Sequence, residues 1–125
     1  MPGPLSDRWT ALQAELPATA RLLAVSKGHP AEAIRALAES GQRDFGESRL
    51  QEARPKQELL TDLSLRWHFI GRLQSNKVRS VVRAFPVIHS VDSLSLAQRL
   101  SRIAGEEAQR PEVLLQVKLL SLIHI

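Results

Sequence analysis

The chain has 125 residues, a net charge of +4, two Trp, three Phe, no Tyr and no Cys. That length suits one domain with a modest core, and the lack of cysteine excludes disulfides, thiolate metal sites and a cysteine nucleophile. No apolar run approaches the ~18 residues that span a bilayer, and the arginines are scattered along predicted helices without a block of like charge or an aromatic platform, which argues against a nucleic-acid-binding module.

In chain order, Ser6 is placed to cap a first helix in which Trp9, Leu12 and Leu16 recur at helical spacing, and Pro17 stops it. Residues 21–27 then form an apolar run ending on a lysine, which reads as a buried parallel strand bounded by Pro17 and by Gly28 and Pro30. Strand alternation puts Leu23, Val25 and Lys27 on one face, with Leu22, Ala24 and Ser26 on the other. Pro30 suits the first turn of a second helix with Ala33, Ile34, Leu37 and Ala38 on its apolar side, closed by Gly41. Residues 43–47 are a second strand. Ser48 is placed to cap a third helix, which Pro55 kinks or restarts.

Residues 65–70 are a third strand, broken by Gly71, and Ser75 is placed to cap a helix with Val78, Val81 and Val82 facing inward. Residues 87–91 are a fourth strand. Asp92 or Ser93 then caps a helix whose buried face is Leu96, Ala97, Leu100, Ile103 and Ala104, with Gly105 ending its regular part. Residues 113–117 are a fifth strand. Five strands alternating with helices predict an α/β fold with a parallel sheet and right-handed crossovers. Units this short and regular favour a β/α barrel, of which the chain holds about five of the eight units.

Chemistry in such folds is placed at the carboxyl ends of the strands. Those ends carry Lys27, then Glu47 and Ser48, then residues 71–77, then residues 90–93. A partly desolvated lysine at that position can attack a carbonyl and form a Schiff base. Gly71, Gln74, Ser75 and Asn76 precede a helix whose free N–H groups can receive an anion, although capping accounts for Ser75 and Asp92 equally well. His68 and His89 come from different strands without carboxylates at ligand spacing, so they read as packed strand residues and no metal is expected. No phosphate-cradling glycine loop and no nucleophile elbow is present.

Four stretches occur together in this order: Leu23-Ala24-Val25-Ser26-Lys27; Gly41-Gln42-Arg43-Asp44-Phe45-Gly46-Glu47; Trp67-His68-Phe69-Ile70-Gly71-Arg72-Leu73-Gln74-Ser75-Asn76-Lys77; and His89-Ser90-Val91-Asp92-Ser93. Over residues 20–118 the chain resembles the YggS/PROSC family of pyridoxal 5′-phosphate homeostasis proteins. The resemblance implies the N-terminal part of a (β/α)8 TIM-type barrel of the alanine racemase N-terminal-domain kind. It implies that Lys27 holds pyridoxal 5′-phosphate as an internal aldimine, with Ser48, His68, Gly71, Gln74, Ser75, Asn76 and Ser90 around the cofactor. It implies a cytoplasmic cofactor carrier without catalytic activity, monomeric at full length, with pyridoxal-phosphate-dependent apoenzymes as recipients.

The alternative is a racemase-type enzyme, which needs an acid/base partner opposite Lys27, usually Tyr, that this chain lacks. Two positions depart from the family pattern: Ser48 where Asn is usual, and Gly28 where Thr is common. The family also runs to about twice this length and carries its phosphate-binding loops in the other half. The expectation is therefore a partial barrel domain over residues 1–118. Residues 119–125 do not continue the pattern and are expected to be an atypical tail.

Overall fold

Periodicity and turn chemistry build five βα units in the computed structural model, which describes residues 3–117. They are α1 (Pro4–Glu15), β1 (Ala24–Val25), α2 (Ala31–Ser40), β2 (Asp44–Glu47), α3 (Leu50–Leu59), β3 (Arg66–Phe69), a 3-10 turn (Ser75–Lys77) leading into α4 (Val78–Ala84), β4 (Val87–Val91), α5 (Leu94–Glu106) and β5 (Glu112–Leu115). The strands stand in the sheet in the order β1-β2-β3-β4-β5. An order without reversal is that of a wall wound in one direction, as in a barrel, and not of a doubly wound sheet with a switch point. Among the described residues no helix is long and apolar enough to cross a membrane. The tail expected at residues 119–125 lies outside the described residues.

The chain divides into two compact units, the first ending at Trp67 and the second beginning at His68. In the first unit β1 pairs parallel to β2, with Ala24 beside Phe45 and Val25 beside Gly46. Ala24 and Phe45 face a small apolar cavity of about 120 Å³ shared with Ala33, Ile34 and Leu37 of α2. Val25 also borders this cavity and is 51% exposed. The buried strand expected over residues 21–27 is cut back to Ala24–Val25, neither of which is fully buried, and Leu22 and Leu23 are both half-buried instead of alternating. The preceding residues are held by side chains instead. Buried Gln42 donates to the Leu22 carbonyl at 2.6 Å, and Arg21 forks onto Asp44 at 2.7 and 2.8 Å.

Helix α2 ends in a Schellman motif. Gly41 N–H donates to Ala38 O and Gln42 N–H to Leu37 O, with Gly41 at φ 122°. Three expectations for the first unit are corrected. Helix α1 starts at Pro4 with Gly3 as its N-cap, so Ser6 lies inside it and hydrogen-bonds Ser40 instead. The apolar spacing of α1 buries no residue. Trp9 instead covers Gly41 and donates its Nε1–H to Gln42 at 2.6 Å. Ser48 does not cap α3, whose N-cap is Arg49, and Pro55 sits inside a single helix. Buried Ala53 and Lys56, on either side of Pro55, anchor the helix across the lost hydrogen bond.

In the second unit β3, β4 and β5 pair in parallel, with His68 beside Val87, Phe69 beside Ile88, and Val87 beside Glu112. One extra residue in β4 between Ile88 and Val91 makes a bulge. The core joins Phe69, stacked edge-on against Phe85, to Val78, Val81 and Val82 of α4 and to Leu96, Leu100, Ile103 and Ala104 of α5. Ser93 caps α5 by accepting the Leu96 N–H at 3.2 Å. Ser75 caps nothing: the 3-10 turn precedes α4 and no side-chain cap is made there. Its carbonyl accepts the Arg99 Nε–H at 2.8 Å.

Candidate functional site

The first unit turns sharply where β1 stops. His29 N–H donates to Ser26 O at 3.0 Å, and Gly28 takes φ 79°, a left-handed conformation that glycine adopts without steric cost. Lys27 sits between them, exposed, and no hydrogen bond or ion pair engages its amine among the described residues. The residues on either side of it are tightly held. Ser26 is buried; its N–H donates to Gly46 O and its hydroxyl donates to Glu47 Oε2 at 2.5 Å.

Glu47 has 0% exposure. A buried carboxylate is costly unless paired, and here the partner is Lys56 from α3. The Lys56 ammonium donates to Glu47 Oε2 at 2.9 Å, to Glu52 Oε2 at 2.8 Å and to the Ser26 carbonyl at 3.0 Å. Glu52 in turn accepts the Gly28 N–H at 2.5 Å. Burial lowers the Lys56 pKa, but hydrogen bonds to Glu52 and Glu47 outweigh it and leave the ammonium raised above its usual 10.5. The bond from Lys56, with that from Gly28, lowers the Glu52 carboxyl below its usual 4.5. Of the two lysines near the turn, Lys56 is buried and engaged by three residues, while Lys27 is exposed. Ser48 follows this network, half-buried.

The second unit contains a polar cavity of about 570 Å³, lined among others by Gly71, Arg72, Ser75, Ser90, Asp92 and Ser93. That volume is within the ~300–1,000 Å³ of small-molecule sites. Among the described residues, the Ser90 hydroxyl is the buried side-chain polar atom left without a hydrogen-bond partner. Such a group is costly unless a ligand or water completes it. Gly71, Ser75 and Ser90 therefore come together around one cavity. Gln74 and Asn76 are exposed beside it and do not line it. His68 lies elsewhere: its Nδ1 is 2.9 Å from His89 Nε2. Burial, and then the neighbouring His68, hold the His89 pKa below its usual 6.5. Among the described residues no group of His, Asp and Glu is arranged to hold a metal ion.

Lys56 and Glu52 lie in no sequence motif. Their i,i+4 spacing, with the glutamate first, was the available signal, but it is shared by most solvated helix faces. Burial at Glu47 is what distinguishes this pair.

Against known proteins, the chain is 54% identical over 108 residues to a pyridoxal phosphate homeostasis protein of Synechocystis, covering 86% of this chain and 50% of that protein. It is 59% identical over 85 residues to the protein of the same name from Pseudomonas aeruginosa, covering 68% and 37%. Among solved structures, PipY of Synechococcus elongatus with PLP bound superposes with a TM-score of 0.90 at 55% identity, over 92% of this chain and 55% of PipY. The chain thus spans about half the length of the curated relatives it matches, or less. Its five strands in sequential order correspond to the N-terminal part of a TIM-barrel-like fold. Residues 3–119 match the N-terminal domain of alanine racemase, and with its unreversed parallel sheet the chain belongs to that family.

Proposed function

We propose that this chain supplies the lysine-bearing part of a pyridoxal 5′-phosphate-binding homeostasis protein, with Lys27 as the residue that takes the cofactor covalently. The observation that carries this reading is the contrast between the two lysines at the β1 turn. Lys56 is buried and donates to three acceptors, whereas the Lys27 amine is exposed and uncommitted at the carboxyl end of the strand. The relatives' names and the PLP-bound neighbour support the choice of ligand.

The bound cofactor supplies an aldehyde that condenses reversibly with a primary amine. The residues of the chain hold and orient it: Lys27 provides the amine, and Ser48 stands one residue beyond buried Glu47. Gly71, Ser75 and the unpartnered Ser90 hydroxyl offer a polar wall in the second unit, with His68, Gln74 and Asn76 as further candidate contacts. The reading is a cytoplasmic carrier, not an enzyme, that passes its cofactor to apoenzymes.

The test is absorbance of the cofactor on a chain as long as the relatives, followed by borohydride reduction and peptide mapping. Reduced pyridoxyl label on Lys27, and its loss in Lys27→Ala, is the expected result. Label on Lys56 or Lys77 with colour retained in Lys27→Ala would overturn the assignment.

A further inference from the structure

We infer that Glu47, Lys56 and Glu52 form a clamp that positions Lys27, acting on the two residues that flank it and not on its amine. This rests on Lys27 being the cofactor lysine and adds the residues that aim it.

The hydrogen bonds converge on the turn from three elements. An ammonium has three protons to donate, and Lys56 directs them to the end of β1 through Ser26 O, to the end of β2 through Glu47, and to Glu52 on its own helix. Glu52 then takes the Gly28 N–H. Glu47 also takes the Ser26 hydroxyl, and Ser26 N–H is held by Gly46 O. The residue before Lys27 is therefore fixed at its N–H, its hydroxyl and its carbonyl, and the residue after it at its N–H. The Lys27 side chain takes part in none of these bonds.

As a stability device this arrangement is a poor choice, because a well-packed apolar pair of the same volume usually does as well as a buried ion pair. As a positioning device it is well suited. Charged hydrogen bonds are shorter and stronger than neutral ones and have narrow geometry. Those from Lys56 and to Glu52 grip the backbone within one residue of the reactive amine. Orienting a reacting group in this way supplies rate without any contact to the ligand.

Glu52 is the informative position, since it is partly exposed, with 33% of its side chain accessible, and its loss leaves the buried Glu47–Lys56 pair intact. In a chain as long as the relatives, Glu52→Ala should keep its fold while amide exchange at Gly28 rises at least about tenfold in the cofactor-free protein. Release of the Lys27-linked cofactor, followed by absorbance after dilution, should quicken by a similar factor. Glu52→Gln, which keeps an oxygen to accept the Gly28 N–H, should restore most of both. Unchanged Gly28 exchange in Glu52→Ala would overturn the clamp. Faster exchange with unchanged release would overturn its positioning role, since the bond would then be structural only. If the wild type carries no cofactor on Lys27, the underlying reading fails, and that is seen in the peptide map before any variant is made.

Discussion

His68 Nδ1 and His89 Nε2 lie 2.9 Å apart on adjacent strands, with the two rings tilted at 51°. At that distance one ring donates its N–H and the other accepts it, so a further proton on His89 places a cation against its neighbour in a half-buried site. Burial and His68 together hold the His89 pKa below 6.5. Below pH 6.5 the unfolded chain therefore binds a proton that the folded one rejects.

Stability should accordingly be full above pH 6.5 and should fall as pH drops from 6.5 through the lowered folded value. Urea midpoints measured at neutral and mildly acidic pH check this. His89→Asn should flatten the slope over that interval. An unchanged slope would show that other groups carry it.

Breaking the buried pair should be expensive. Lys56→Met leaves the Glu47 carboxylate at 0% exposure without its ammonium, a change that typically costs about 3–5 kcal/mol against a total stability of ~5–15 kcal/mol. Combining it with Glu47→Gln removes the orphaned charge and should recover much of the loss. Because the Lys56 pKa is raised, its contribution should be complete below pH 10.5 and lost as pH rises through the higher folded value. Denaturant unfolding of the single and double variants decides, and a single variant within about 1 kcal/mol of wild type would contradict the geometry.

On the second unit, Glu107 receives Arg79 at 2.5 Å and Arg83 at 2.6 Å, tying α4 to the end of α5. Hydrogen bonds from Arg83 and then Arg79 hold the Glu107 carboxyl at about 2, down from 4.5. A lowered acid stabilises the fold above its unfolded pKa and loses that contribution as pH falls through the folded one. The interval is therefore pH 4.5 to about 2. Glu107→Gln should remove this part of the acid-unfolding curve, and added salt should weaken it in the wild type.

Gly41→Ala tests the end of α2. At φ 122° any side chain is strained, and a Cβ there would stand 3.0 Å from the Trp9 ring. A loss of about 1–2 kcal/mol from the backbone alone is expected, with the ring displaced from its hydrogen bond to Gln42. Chemical denaturation and tryptophan fluorescence report the two effects separately. An unshifted midpoint would show that the turn relaxes freely.

What was legible in the sequence is what depends on neighbours a few residues away. The order of the elements, β4 at Val87–Val91, the Ser93 cap and the buried face of α5 all follow from local periodicity and hydrogen bonding within one turn. Tertiary packing alone decided the rest. Trp9, Leu12 and Leu16 have helical spacing, yet no residue of α1 is fully buried: Trp9 rests on the end of α2 while Leu12 stays 52% exposed, since amphipathic spacing does not say how much of the stripe a partner surface will cover. Pro55 breaks a local rule that packing on both sides overrides. Lys56 looks like any solvated helix lysine until α3 lies on β2. Its role depends on Glu47 nine residues back and on the Ser26 carbonyl thirty residues back, and only the folded chain brings those atoms within 3.0 Å of its ammonium.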